Sequence, residues 1–487
     1  MLVENGTRYT VPLLINGEEV ISTTTFDVTS PASHQFLWKS SSATSAHVDS
    51  ALATAAAAFP AWSKSKPAQR RTIFMKAADL LQQREDELKR YMTDETGGID
   101  PFTGFNIFTA AELMRDVAGR SSNIMGHVPM CQDEGTGALV LKEPYGVILG
   151  IAPWNAPYIL GLRAVIYAIA AGNTCILKGS ELCPRAFYSI GRVLADAGLP
   201  AGVLNVIYTT RDESPAATTQ LINSPAIKKI NFTGSTAIGS IIASMAGKAL
   251  KPCLMELGGK ASSIVLDDAD VELAAFQCAL GAFLHGGQVC MATERILVHK
   301  DILPAFKPAF QTALAKVFPD HAPAPVLVQS PTVEKNKRLV GDAIAGGASI
   351  LYGDHQKRET HPETGAFSHT RMRPIVVEGV KPEMDLYHEE SFGPTVSLIE
   401  VHSEEDALVI ANDTAYGLTS AVFSKDLARA LRIAKRIESG AVHINTMSIH
   451  DEATLPHGGA KSSGWGRFNG QWGVDEFLRL KTITYKE

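Results

Sequence analysis

The chain has 487 residues, with 45 Lys and Arg against 51 Asp and Glu, a net charge of −6, and 45% apolar residues. This is the mixture of a soluble globular protein, and it excludes a chain too polar to bury a core. A single core rarely grows past about 250–300 residues, so two or three domains are expected. The mild acidity argues against nucleic-acid binding, which calls for a basic face.

Six cysteines occur, Cys131, Cys175, Cys183, Cys253, Cys278 and Cys290. They form no CxxC pair and have no attendant histidine cluster, so no metal site is expected, and reduced thiols in the cytoplasm are. The start, Met1 to Gly6, lacks the basic-then-apolar pattern of a secretory signal. A long uncharged stretch, Pro144 to Leu162, is interrupted by Pro153, Asn155 and Pro157, which argues against a membrane helix and a membrane partner.

In chain order, Asn16-Gly17 between two apolar runs predicts a hairpin. Ser45 to about Ser121 is helical by its spacing: Ala51, Ala55, Phe59 and Trp62 recur at three and four residues. From Gly146 to Leu266, strands alternate with helices. The strands are Val147–Ala152, Thr174–Lys178, Val203–Tyr208, Lys229–Phe232 and Ser262–Leu266. The helices are 157–171, 184–197, 215–223 and 237–249. Near-continuous apolar strands in alternation with helices predict a parallel sheet covered on both faces, with ligands at the carboxyl ends of its strands. A second α/β block runs from about Asp270 to Asn445, with a surface loop or hairpin over Ser349 to Thr370. Leu478–Tyr485 alternates apolar and polar residues, as a half-buried edge strand open to another subunit would.

Three side chains stand out chemically. Cys290, in Gly286-Gly287-Gln288-Val289-Cys290, is either a buried core thiol or a nucleophile that its glycines bring close to a ligand. Glu256, in Met255-Glu256-Leu257-Gly258-Gly259-Lys260, is either a strand-end acid paired with Lys260 or a general base raised toward neutrality by desolvation. Asn155, between a strand and a helix, is either a turn or cap residue or an amide donor to an oxyanion. Phe232-Thr233-Gly234-Ser235 opens a helix whose start can hold phosphate, although the spacing is not GxGxxG. Lys178 and Glu181 are either a surface ion pair or partners for the hydroxyls of a ribose.

Taken in order, Pro153-Trp154-Asn155, Lys178-Gly179-Ser180-Glu181, Phe232-Thr233-Gly234-Ser235, Glu256-Leu257-Gly258-Gly259-Lys260, Gly287-Gln288-Val289-Cys290 and Glu389-Glu390-Ser391-Phe392-Gly393-Pro394 resemble the aldehyde dehydrogenase superfamily. The resemblance runs from Ile15-Asn16-Gly17 to the final strand. It departs from the family at Gly179 (commonly Pro), His285 (often Asn) and His457 (usually Phe).

The resemblance implies an α/β fold: a Rossmann-like dinucleotide-binding domain (1–121 and 145–255), a catalytic α/β domain (256–445) and a small β oligomerisation element (122–144 and 446–487) that builds a homodimer or homotetramer. It implies Cys290 as nucleophile, Asn155 as oxyanion donor and Glu256 as the base that hydrolyses a thioester. It also implies NAD, with NADP as the alternative, held by Ile151, Trp154, Lys178, Glu181, Phe232, Gly234, Ser235, Gly239, Leu257, Glu389 and Phe392. Within the superfamily, the stretch Trp154 to Arg163 and the stretch His450 to Gly459 are most similar to aromatic aldehyde dehydrogenases. That similarity implies Leu160, Arg163 and His457 as substrate contacts. Arg163 is either a channel residue or an internal ion pair. The rival readings are an aliphatic or semialdehyde dehydrogenase, a CoA-acylating relative, a cofactor-free thiol hydrolase, for which nothing in the sequence marks nearby His285 as the base, and a binding protein on an enzyme fold.

Overall fold

The computed structural model describes residues 3–4 and 7–486. Four helices, Ser45–Trp62, Pro67–Gln83, Glu85–Thr96 and Asp100–Arg120, make up the predicted helical region. Asn16 and Gly17 both adopt positive φ (55° and 76°) and join the antiparallel strands Leu13–Ile15 and Glu18–Val20 as expected.

An eight-stranded sheet forms the first α/β layer. From one edge its strands are Gly464–Trp465, Cys253–Glu256, Ile227–Thr233, Val147–Ile151, Thr174–Lys178, Leu204–Ile207, Leu13–Ile15 and Glu18–Val20. The five central strands are parallel. Their order reverses between Val147–Ile151 and Ile227–Thr233, the doubly wound arrangement in which ligands sit at the strand carboxyl ends. Ile151 pairs in register with both Lys178 and Phe232, so three of the predicted cofactor positions share one level of the sheet.

A second, seven-stranded sheet contains Ala261–Val265, Thr293–His299, Ile375–Glu378, Thr395–Val401, Thr419–Phe423 and Ala441–Ile444 in parallel, with Ser349–Tyr352 antiparallel at its edge. The protein is therefore an α/β fold with two mainly parallel sheets, one of them Rossmann-like.

Four expectations change. The strand expected over Ser262–Leu266 belongs to the second sheet, because the chain crosses between sheets at Gly258-Gly259, where a Cβ on Gly259 would stand 2.2 Å from the Cys290 carbonyl oxygen. Gly464–Trp465, expected in the oligomerisation element, instead extends the edge of the first sheet beside Met255 and Glu256. The single helix expected over 157–171 is two, Pro157–Arg163 and Ile166–Ala170. The amide of Asn231 donates to the carbonyl oxygens of Arg163 (3.3 Å) and Ala164 (3.0 Å), satisfying groups that would otherwise continue the helical ladder. Finally, Leu478–Lys486 pairs with Thr136–Pro144 in a two-stranded ribbon, but only Leu478 of that strand is buried. The half-buried face expected there is open in the single chain. No helix among the described residues is long and apolar enough to cross a membrane.

Candidate active site

The strands deliver the predicted residues to one place. Glu256 ends the strand Cys253–Glu256 and is buried, 1% exposed. Cys290 follows a tight loop in which His285, Gly286 and Gly287 all hold positive φ (52°, 65° and 74°). A Cβ on Gly287 would stand 2.1 Å from the Gly393 carbonyl oxygen, so only glycine fits that approach. Gln288 anchors the loop: its amide donates to the carbonyls of His285 (3.0 Å) and Val326 (3.2 Å), and its Oε1 accepts from Val328 N–H (2.9 Å).

The Cys290 thiol donates to Oε1 of Glu256 at 3.1 Å. Burial, followed by the Glu256 charge, pushes that thiol well above its ordinary range. Burial also pushes the Glu256 carboxyl up, but His457, Arg163 and Cys290 together outweigh it and leave the group below its ordinary value. The elevated Glu256 expected from desolvation is thus corrected: charged and hydrogen-bonding neighbours overcome burial. Asn155 Nδ2 donates to the Gln288 carbonyl at 3.0 Å, beside Cys290.

Two cavities meet at this pair. One, of about 310 Å³, lies at the strand carboxyl ends and is lined by Trp154, Gly234, Ser235, Leu257, Phe392 and Glu390, together with Lys335. Ser235 caps the helix Thr236–Lys248, accepting from Ile238 N–H, so backbone N–H groups open toward this cleft. The second cavity holds Phe102, Phe105, Ile159, Leu160, Val289, Met291 and Ile449 around Cys290, Glu256, Arg163, Asp451 and His457. Leu160 touches both.

Several predicted residues stand elsewhere than expected. Phe232 does not line the cleft; its ring is buried beneath Gly234, where a Cβ would meet it at 2.6 Å. Gly239 backs onto Leu257, leaving no room for a Cβ. Lys178 turns its Nζ to Ser214 Oγ (2.8 Å), and Glu181 lines an adjoining polar cleft. Glu389 pairs with Arg338 at 3.2 Å on the outer surface, whereas its neighbour Glu390 faces the cleft and accepts from Gly259 N–H at 2.8 Å. Burial raises the Glu390 carboxyl to about 7. In the doublet Glu389-Glu390 only the fold tells the two acids apart. Phe392 holds φ 49° and packs edge-on to Trp154, their rings 6.0 Å apart. Glu294 accepts from Ser391 N–H and Oγ (both 2.8 Å) and pairs with Lys260 (2.7 Å), fixing the 389–394 loop.

Arg163 is an internal ion pair. Its Nη2 bonds Asp451, and its guanidinium carbon stands 5.4 Å from the Phe468 ring centroid. Its Nη1 is 3.9 Å from Oε2 of Glu256. His285 stacks on Phe102 (centroids 4.3 Å, planes 13° apart), and burial lowers it to about 3. It faces a different cavity from Cys290, which removes it as a hydrolase base. Sequence reasoning missed Glu390, Lys335 and the partner role of Asp451. Only the adjacency of Glu390 to Glu389 hinted at any of them.

Residues 19–483 match the aldehyde dehydrogenase family. The chain is 40% identical over 481 residues to a vanillin dehydrogenase of Pseudomonas sp. (strain HR199 / DSM 7063), covering 97% of each. It is 38% identical over 466 residues to a salicylaldehyde dehydrogenase of Pseudomonas sp. (strain C18), covering 94% of each. The crystal structure of a salicylaldehyde dehydrogenase from Pseudomonas putida G7 complexed with salicylaldehyde superposes with a TM-score of 0.93 at 36% identity, covering 98% of both chains. With a thiol–carboxylate pair set between two cavities and a match over nearly its whole length, the chain belongs to the aldehyde dehydrogenase family.

Proposed function

We propose that the protein oxidises an aromatic aldehyde to its carboxylic acid, with NAD as hydride acceptor, through a thioester on Cys290. The observation that carries this reading is the second cavity. It is walled by Phe102, Phe105, Ile159, Leu160, Val289 and Ile449, and its one arginine is already paired with Asp451. A flat apolar ring suits such walls. A semialdehyde carboxylate would meet the carboxylates of Glu256 and Asp451 on the same walls, beside an arginine already paired.

The cleft on the other side of Cys290 fits a dinucleotide. It lies where the strand order reverses, it opens onto the N-terminus of the helix Thr236–Lys248, and the place of a Gly234 side chain is filled by Phe232, which keeps that helix entrance low. Gly234, Ser235 and Leu257 would hold the pyrophosphate side, Glu390, Phe392 and Trp154 the nicotinamide side, and Lys178 and Glu181 the adenosine ribose. When bound, the nicotinamide supplies the acceptor for the hydride that leaves the carbonyl carbon.

The chain's own groups do the rest. Glu256 Oε1 takes the Cys290 proton across their 3.1 Å contact, and the thiolate bonds to the carbonyl carbon. The Asn155 amide and the Cys290 backbone N–H hold the resulting oxyanion. After releasing that first proton to solvent, Glu256 removes a proton from water and passes it to the departing Cys290 sulfur. The oxygen bonds to the thioester carbon, the C–S bond breaks, and the acid leaves with Cys290 restored.

A panel of salicylaldehyde, benzaldehyde, vanillin, acetaldehyde and succinic semialdehyde, followed by nicotinamide absorbance, tests the reading. Aromatic aldehydes are expected to give the highest kcat/KM. A short aliphatic aldehyde or the semialdehyde ahead of every aromatic would overturn it.

A further inference from the structure

Glu256 meets Cys290, Arg163 and His457 directly, with Asp451, Asn155 and His443 in the surroundings. Cys290 donates to its Oε1 at 3.1 Å. Arg163, at the end of the helix Pro157–Arg163, stands 3.9 Å from its Oε2, but the guanidinium is bonded to Asp451. Asp451 is itself tied to Asn469 Nδ2 at 2.8 Å. Asn155 Nδ2 uses one of its two hydrogens on the Gln288 carbonyl. His443, on the strand Ala441–Ile444, lies beyond, its ring 5.0 Å from that of His450.

Beside the Arg163 Nη1 ion pair at 3.9 Å, one imidazole nitrogen facing Glu256 makes no hydrogen bond. His457 Nε2 is 3.5 Å from Oε1, buried, and has no hydrogen-bond partner. Oε2 of Glu256 is likewise buried and unpartnered. A buried carboxylate without compensating donors is held neutral, and a neutral carboxyl cannot take a proton from a thiol or from water.

We propose that His457 is a positioning residue for this reaction: its imidazole, buried beside Oε1, holds the Glu256 carboxylate ionised and turned onto the Cys290 thiol. The family resemblance places Phe here, so this chain carries a donor where an apolar ring is usual. The backbone supports the placement without using the imidazole, because His457 N–H and C=O pair with Phe468. The inference rests on reading Glu256 as the base. Its consequence is a base that keeps working at lower pH than it would beside a phenylalanine. The charges that bear on this pH behaviour are Arg163, Asp451, Cys290, His443 and Glu256 itself, with Glu390 acting on the Cys290 thiol.

The test is the pH profile of kcat for wild type, His457→Phe and His457→Gln, with circular dichroism to confirm folding. His457→Phe is expected to move the acid limb upward by about one pH unit or more, since loss of a favourable neighbour raises a carboxyl by that order. At low pH this is about a tenfold loss, disappearing at alkaline pH. His457→Gln, which keeps a donor without the imidazole, should fall between the two. If the Phe variant does not fold, the Gln limb decides: displaced upward it supports the role, unmoved it overturns it. A changed KM at every pH with an unmoved limb would mean that His457 only shapes the cavity. Glu256→Gln separates the two readings. If it retains full turnover, the base assignment fails; if it abolishes turnover while the His457→Phe limb stays in place, only the role of His457 fails.

Discussion

Cys290 and Glu256 are 34 residues apart in the chain, yet Sγ and Oε1 meet at 3.1 Å. The contact joins the end of one sheet to a loop entering the other, so neither sheet alone makes the site. Cys290→Ala is expected to abolish oxidation while the protein still folds and binds dinucleotide, checked by steady-state assay and ligand fluorescence. Glu256→Gln is expected to slow thioester breakdown by about 100–10,000-fold, leaving at most a single burst of reduced nicotinamide in stopped flow.

Asp451→Ala should destabilise the fold. It would leave the Arg163 guanidinium buried beside Phe468 with only the distant Oε2 of Glu256 as counter-charge. Breaking one side of a buried pair costs about 3–5 kcal/mol, readable in a urea titration. Burial raises the Asp451 carboxyl, but Arg163 and His457 outweigh burial and hold it below its ordinary 3.8. The stabilisation from this pair is therefore complete above pH 3.8 and is lost as pH falls below it. The variant and wild type should converge in acid.

Gly287→Ala is expected to inactivate without unfolding the sheets. The left-handed backbone alone costs about 1–2 kcal/mol for a residue with a side chain, and the new Cβ would press on the Gly393 carbonyl at 2.1 Å. Turnover should collapse while the thermal midpoint shifts by only a few degrees.

Cofactor choice should favour NAD. Glu181 lines the cleft adjoining the site, and its carboxylate would repel a 2′-phosphate. The nearby Lys178 ammonium is engaged with Ser214 at 2.8 Å. A kcat/KM for NADP equal to or above that for NAD would contradict this.

The ribbon of Thr136–Pro144 and Leu478–Lys486 exposes Leu139, Leu141, Leu480, Ile483 and Tyr485. Such an apolar edge is expected to pair with another copy of the chain. Light scattering at micromolar concentration should give a dimer or tetramer mass, and Leu480→Lys with Ile483→Lys should lower it.

Periodicity and turn chemistry were enough to place most elements. The strand Thr174–Lys178 and the helices Leu303–Val317 and Glu404–Asn412 fall where local pattern puts them. Such features depend on neighbours in the chain. The helix break after Arg163 was hidden, because its cause, Asn231, lies 68 residues away on another strand. The helix Ser330–Ala345, which brings Lys335 to the cleft, was also missed, although Pro331 in its first turn and the repeat of Val333, Leu339, Val340 and Ala343 mark it locally.

The site divides the same way. Motif order alone singled out Cys290, Glu256 and Asn155 as candidates, because glycine and proline signatures stand beside these reactive side chains. Tertiary structure decided which acid of Glu389-Glu390 faces the cleft, that Arg163 is neutralised by Asp451, and that Glu256 lies below rather than above its ordinary range. These are matters of charge and desolvation in three dimensions. They depend on distances of a few ångströms between groups far apart in sequence, and no spacing rule along the chain contains them.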